Sequence, residues 1–131
     1  MNIKSKQILI KNTLLLALLF GLVTINKEVF RPGFRHVPFL NILTGSFPNF
    51  IAAFIISLAL INGVLVKNPR NRRVIAYIGS ALVFIILTIE EFKPIWGASE
   101  YFDSFDILAS GLGSLLSISI FEIILFTRNK N

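Results

Sequence analysis

The chain has 131 residues, of which 54% are hydrophobic and 15% charged, and its formal net charge is +6. This length suits one compact unit and is too short for two ordinary domains. The absence of cysteine excludes disulfides, thiolate metal sites and cysteine nucleophiles. We do not predict nucleic-acid binding, because the basic residues form short groups beside apolar runs rather than a stripe interleaved with aromatics.

Long apolar runs predict the helices. They cover residues 8–25, 48–66, 74–92 and 106–126. Each is close to the length that crosses a hydrocarbon core. The first run starts like a secretory signal, but it is longer than a signal core and has no small-residue cleavage site, so we expect a retained helix. Ser46 is the predicted N-cap of the second helix, Pro48 would lie in its first turn, and Pro94 ends the third.

The distribution of Lys and Arg predicts the topology. Nine lie in the two terminal segments and in the turn between the second and third helices, against four in the other two connections. Because basic residues concentrate on the cytoplasmic side, both termini are predicted to be cytoplasmic. The sequence therefore predicts an all-α membrane protein in the plasma membrane. It would form one transmembrane domain, a four-transmembrane-helix bundle over residues 1–131.

The two predicted outer segments carry opposite charge. The loop 26–46 is net +2, and the segment around the third loop is net −4. The polar residues of interest in the first are Arg31, Arg35 and His36, and those in the second are Glu90, Glu91, Glu100, Asp103 and Asp106. Opposite charges beside a low-dielectric medium favour pairing, since isolated charges there are costly. We therefore predict a polar site at the outer surface.

The spacing of the fourth helix extends this site inward. Asp103 and Asp106 are three residues apart and can share one helix face, which continues to Ser110. A row of small residues at four-residue steps predicts close approach of a neighbouring helix. This row consists of Ala109, Gly113 and Ser117. The expectation is a narrow polar groove that descends from the acids, with Asn49 of the second helix beside it.

Part of the sequence resembles VanZ-like membrane proteins. The resemblance lies in residues 89–92 and 102–113, which are similar to the family signature of a Glu that ends one helix followed by paired Asp residues and a Gly in the next. The matching positions are Glu90 or Glu91, Asp103, Asp106 and Gly113. Three positions depart from the pattern: Lys93 stands for Gln, Ser110 for Asn, and Glu100 or Tyr101 for Arg. The resemblance implies a four-helix protein linked to cell-envelope physiology, with no settled reaction.

Each of these features also has a simpler interpretation. The acids could cap the fourth helix, and the arginines could anchor headgroups. An outer belt of aromatics is predicted at Phe30, Phe34, Phe39, Phe47, Trp96, Tyr101 and Phe102. Mg²⁺ or Ca²⁺ could bind the acids, but no spacing resembles a dedicated cage, so we predict no metal and no other cofactor. Glu122 and Lys11 lie at similar predicted depths, which makes them a hypothetical ion pair.

The sequence leaves several functions open. The leading hypothesis is a protein that binds or modifies a lipid or lipid-linked envelope precursor at the outer leaflet, where Arg31 and Arg35 would hold a phosphate or carboxylate. Whether it is an enzyme stays open, and no catalytic residue is assigned. The alternatives are an accessory or assembly subunit that uses the small-residue row, or a small transporter acting as a homodimer. Membrane lipids are the expected partners.

Overall fold

The computed structural model describes residues 3–67, 69–93 and 103–130, and the side chains in those ranges outside positions 3–9, 12 and 128–130. This part is helical apart from short turns and contains no strand, which confirms the all-α prediction. The elements in chain order are α1 (Ile3–Ile25), a π-helical segment (Asn26–Phe30), α2 (Arg31–Gly33), α3 (Pro38–Lys67), α4 (Arg72–Phe92) and α5 (Ser104–Lys130). Glu100 and the belt residues Trp96, Tyr101 and Phe102 lie outside the described residues.

Four spans of the described chain are long and apolar enough to cross a membrane. They are Thr13–Gly33, Pro38–Lys67, Arg72–Phe92 and Ser104–Thr127, of 21, 30, 21 and 24 residues. Large apolar side chains are exposed along them; Ile78 and Ile86, for example, are each 56% exposed and Leu112 is 60% exposed. Water-soluble proteins rarely expose so much continuous apolar surface, so the spans indicate a membrane protein. Cytoplasmic termini and the plasma membrane stay predictions.

The chain divides into two compact units, Met1–Gly45 and Ser46–Asn131, and each is described by itself. Helix α3 runs through the boundary between them. The prediction of a single transmembrane domain stays a prediction.

In the first unit, the segment predicted as a long outer loop is largely helical. The backbone N–H of Arg31 donates to the carbonyl of Asn26, so the π-helical segment connects α1 to α2 without a break. The chain then turns over residues 34–37 and re-enters a helix at Pro38. Charged residues favour a loop in the sequence, but Lys and Arg are compatible with a helix at this level because their long stems can carry the charge to polar surroundings.

The start of α3 differs from the one predicted. The helix begins at Pro38, where the fixed φ of proline suits a first helical position. Ser46 is therefore inside the helix and is not its N-cap, and Pro48 lies in the helix interior rather than in the first turn. An interior proline removes one backbone hydrogen bond from the helix, and this loss matters for the site described below.

In the second unit, α3, α4 and α5 share a core. Its buried members are Ile61, Val64, Leu65, Ala76, Phe121 and Leu125. Gly113 brings α5 against the backbone of α3: a Cβ at this position would collide with the carbonyl oxygen of Phe50 and would lie 3.0 Å from the nitrogen of Phe54. The hydroxyl of Ser117, one turn further along, donates to the carbonyl of Phe54 at 3.0 Å. The two helices therefore touch through their backbones.

Candidate functional site

A cavity in the first unit is lined by basic side chains. Its volume is about 440 Å³, and its lining residues are Lys27, Arg31, Pro32, Arg35 and Asn41. We call it the basic cavity. All five residues are exposed. None of the described residues that line it is acidic, so three cations face one space without a compensating carboxylate.

The local fold explains why these side chains meet. Lys27 lies in the π-helical segment and Arg31 begins α2, four residues later, so the two project on neighbouring parts of one helical surface. Arg35 lies in the turn that follows, where the N–H of Val37 donates to the carbonyl of Phe34 at 3.0 Å. This turn reverses the chain into α3, whose first turns carry Asn41. The basic cavity therefore lies between the chain before the turn and the chain after it.

The composition of the basic cavity favours an anion. Guanidinium groups present planar N–H forks that match phosphate and carboxylate oxygens, and a lysine ammonium adds a compact charge. The amide of Asn41 offers both a donor and an acceptor. These groups can bind and orient an anionic headgroup, whereas none of the three basic side chains is suited to act as a general base while it is charged.

Two of the predicted acids of the second unit hydrogen-bond at the start of α5. Asp103 is the N-cap, and its Oδ1 accepts the N–H of Phe105 at 2.9 Å. Glu91, from the last turn of α4, accepts the backbone N–H of Asp103 through Oε1 at 3.0 Å. Asp106 is in the first turn of α5 and is half-buried, as is Glu90 at the end of α4. Acids at a helix N-terminus are stabilised by its exposed N–H groups and dipole.

Glu91 and Asp103 therefore take part in starting α5, as the simpler interpretation anticipates for Asp103. No group of three or more His, Cys, Asp or Glu side chains in the described part of the chain is arranged to hold a metal ion. Arg31 and Arg35 belong to the first unit and the acids to the second, so their pairing across the outer surface stays a prediction. His36 is exposed in the turn of the first unit and is not among the residues that line the basic cavity.

The polar row of α5 is a packing surface at the positions where a groove was expected. The backbone of α3 occupies the space beside Gly113, and Ser117 is fully buried against it. Ser110 is buried at 3% exposure, Ala109 is half-buried one residue before it, and Asn49 is half-buried on α3. Small residues here allow close helix approach, and that approach closes the predicted opening at Gly113.

A second polar cluster joins α4 to α5. Arg73 contacts both carboxylate oxygens of Glu122, with distances of 3.2 Å from Nε to Oε1 and 3.1 Å from Nη2 to Oε2. The hydroxyl of Tyr77 donates to Oε1 of Glu122 at 2.7 Å. The matched depth of Glu122 and Lys11 along the chain predicts a pair between those two residues instead. Arg73 offers a two-pronged donor within the same unit, whereas Lys11 belongs to the first unit, so the Lys11–Glu122 pair stays a prediction.

Sequence reasoning missed three residues of the first unit: Lys27, Asn41 and Asn26. Lys27 counts there toward the topology and the loop charge but not as a site residue, although its spacing of four from Arg31 is the spacing that places two side chains on one face. Asn41 and Asn26 fall in the predicted loop, where an amide is unremarkable. In a helix that can enter a membrane, a buried amide such as Asn26, at 4% exposure, needs a hydrogen-bond partner.

The chain was compared with protein-family models, with curated proteins and with solved structures. None of the three comparisons finds a match. The resemblance to VanZ-like proteins stays a prediction that rests on the motif alone, and residues 94–102 of that motif region lie outside the described residues.

Proposed function

We propose that this chain is an integral membrane protein of the cell envelope that binds the phosphate-bearing headgroup of a lipid or lipid-linked envelope component. Lys27, Arg31 and Arg35 provide the charge, and Asn41 orients the group. The basic cavity carries this proposal, because it gathers three cations around about 440 Å³ with no acid among the described lining residues. Both termini are proposed to be cytoplasmic, which places the cavity at the outer leaflet.

The length of α3 supports a position at headgroup level. Its 30 residues extend about 45 Å at about 1.5 Å per residue, whereas the hydrocarbon core is about 30 Å thick. With Lys67 at one end in the opposite interface, the first turns of α3, including Asn41, reach the polar region of the other leaflet. Lipid phosphates lie at that level, so a ligand would need no deep insertion to reach the cavity.

Charge selects among headgroups. Phosphatidylcholine carries a fixed cation next to its phosphate, and three protein cations disfavour it. An anionic phosphate without that cation gains about 1 kcal/mol for each Lys or Arg near the surface. The proposed preference is therefore for phosphate monoesters, diphosphates and other anionic headgroups. None of the three charged side chains of the basic cavity is suited to act as a general base, so we propose binding without a chemical step.

The structure gives the two alternatives less support. The accessory-subunit hypothesis relies on the small-residue row as an external surface, but Gly113 and Ser117 are used by the chain's own α3. The transporter hypothesis gains no observation from the described residues. Neither is proposed further.

The experiment is a titration of the purified full chain in detergent with short-chain phosphatidic acid. Phosphatidylcholine of the same chain length is the comparison, and inorganic phosphate is a competitor that separates recognition of the phosphate from recognition of the lipid. We expect Lys27→Gln, Arg31→Gln and Arg35→Gln each to lower affinity about fivefold, the equivalent of about 1 kcal/mol.

The matched control is Arg70→Gln. Arg70 lines another basic cavity, of about 310 Å³, in the turn before α4 of the second unit. If Arg70→Gln lowers affinity as much as Arg31→Gln does, the binding is only a response to net charge and the proposal is wrong.

A further inference from the structure

A carbonyl of α3 lacks its helical donor because of Pro48. In an α-helix the N–H of residue 48 would donate to the carbonyl of residue 44, but proline has no N–H. The side-chain amide of Asn26 supplies the donor instead: its Nδ2 lies 2.7 Å from the carbonyl oxygen of Thr44. Asn26 is buried at 4% exposure, so the bond is shielded from water. Asn26 and Thr44 are 18 residues apart in the chain.

This bond joins the two sides of the basic cavity. Asn26 directly precedes Lys27, and its own carbonyl accepts the N–H of Arg31 in the π-helical segment. Thr44 lies one turn beyond Asn41, and its hydroxyl hydrogen-bonds to the carbonyls of Leu40 at 2.8 Å and Asn41 at 3.2 Å. A single side chain therefore connects the backbone that carries two of the cations to the backbone that carries the amide.

The π-helical geometry adds to this arrangement. Short π-helical insertions in α-helices are rare and occur frequently at functional sites. Here the insertion starts at Asn26 itself. Its backbone carbonyl accepts the hydrogen bond that closes the π-turn, and its side-chain amide donates to the Thr44 carbonyl of α3. Lys27 and Arg31 both lie within the π-turn whose hydrogen bond joins the N–H of Arg31 to the carbonyl of Asn26.

We infer that Asn26 is a positioning residue for the anion site, and that Pro48 makes this possible by leaving the Thr44 carbonyl without a helical donor. The inference rests on the proposed function. Asn26 does not line the basic cavity and touches no ligand there; it sets the separation between the Lys27 and Arg31 side and the Asn41 side. Positioning of this kind raises affinity because the cations are held in place before the ligand arrives.

Pro48 provides a test that separates positioning from simple hydrogen-bond satisfaction. In Pro48→Ala, the N–H of residue 48 can donate to Thr44 within α3, so that carbonyl no longer depends on Asn26. Asn26→Ala should then destabilise the chain less in the Pro48→Ala background than in the parent. It should still lower affinity for short-chain phosphatidic acid in both backgrounds, because a helical hydrogen bond inside α3 does not connect the two sides of the cavity.

We expect Asn26→Ala to lower affinity about fivefold to tenfold, the size of one shielded hydrogen bond. Thr24→Val is the control: its hydroxyl donates to Phe20 within α1 at 3.0 Å, two residues from Asn26, and its loss should leave affinity unchanged. Should Asn26→Ala fail to fold, the double variant with Pro48→Ala provides the measurement, since its Thr44 carbonyl has a donor.

Three outcomes overturn the inference. Asn26→Ala could leave affinity unchanged while Arg31→Gln lowers it, in which case the proposed function survives alone. Pro48→Ala could restore both thermal stability and affinity to Asn26→Ala, which would mean that Asn26 only satisfies a carbonyl. If Arg31→Gln also has no effect, the proposed function fails, and the inference fails with it.

Discussion

Arg73 and Glu122 form a two-pronged ion pair between α4 and α5, with nitrogen–oxygen distances of 3.1 and 3.2 Å. The two residues are 49 positions apart, and the pair fixes the start of α4 beside the second half of α5. Their side chains are 60% and 34% exposed, so solvent screens the pair and its contribution to stability is small.

We expect the Arg73–Glu122 pair to show a measurable coupling in a double-mutant cycle. Arg73→Gln and Glu122→Gln should each lower the thermal midpoint in detergent, and the double variant should lose less than the sum. A coupling free energy of about 0.5–1 kcal/mol is expected for an exposed pair with two-pronged geometry. Strictly additive losses would mean that the contact contributes nothing.

Because α3 and α5 approach closely at Gly113, adding one methyl group there should lower the stability of the chain. Gly113→Ala places a Cβ against the backbone of Phe50 and Phe54, neither of which can move as a side chain can. We expect a loss of about 1–3 kcal/mol from overpacking, measured by thermal unfolding. Gly63→Ala is the control, because nothing lies within 4 Å of the place its new methyl group would take; it should be neutral or stabilise by up to about 1 kcal/mol. Equal effects would contradict the packing described for α5.

Two buried serines should respond in opposite ways to the loss of the hydroxyl. Ser117 donates to the carbonyl of Phe54 at 3.0 Å, so Ser117→Ala should cost about 0.5–1.5 kcal/mol. The hydroxyl of Ser80 is buried and has no protein partner within the described part of the chain. Ser80→Ala should therefore be neutral or stabilising, because an unpaired polar atom leaves the interior. A larger loss for Ser80→Ala than for Ser117→Ala would be inconsistent with these contacts.

The N-cap at Asp103 predicts that charge matters less than hydrogen bonding there. Asp103→Asn keeps a side-chain oxygen that can accept the N–H of Phe105, and it should change stability by only about a few tenths of a kcal/mol. Asp103→Ala removes the acceptor and should cost about 1 kcal/mol. Neither should change the affinity for phosphatidic acid. A loss of affinity in Asp103→Asn would instead assign the acids to the binding site.

The proposed topology can be tested with single cysteines, because the chain has none of its own. His36→Cys and Asn71→Cys place one thiol in each of two exposed turns. On intact cells, a membrane-impermeant maleimide should label His36→Cys, and it should label Asn71→Cys only after the cells are permeabilised. The reverse pattern would place the basic cavity in the cytoplasm and would remove an outer-leaflet ligand.

The helical fold was largely predictable, because long apolar runs have few alternatives in a membrane. The start of α3 at Pro38 was not predictable in this way. A proline shortly after a serine is a usual sign of a helix beginning, but Pro48 is tolerated in the interior because Asn26, far away in sequence, supplies a donor for the free carbonyl. Because the donor comes from a residue 18 positions away from Thr44, the sequence around Pro48 gives no sign of it.

The candidate site was predictable in part. Arg31 and Arg35 stand out for their charge, and both line the basic cavity. Lys27 and Asn41 join them only because the presumed loop is helical and reverses at residues 34–37. Conversely, two of the predicted acids have a local role, since Glu91 and Asp103 accept backbone hydrogen bonds at the start of α5.

The contact between α3 and α5 has a consequence for biosynthesis. The carbonyl of Phe54 and the hydroxyl of Ser57 meet Ser117 and Ser114, which follow them by 63 and 57 residues. During synthesis α3 is made before α5. The face of α3 that contacts α5 therefore has no partner until the chain has been translated as far as Ser117. The second unit can therefore complete this packing only after α5 has been synthesised, and a chain truncated before α5 leaves this face of α3 without its partner helix.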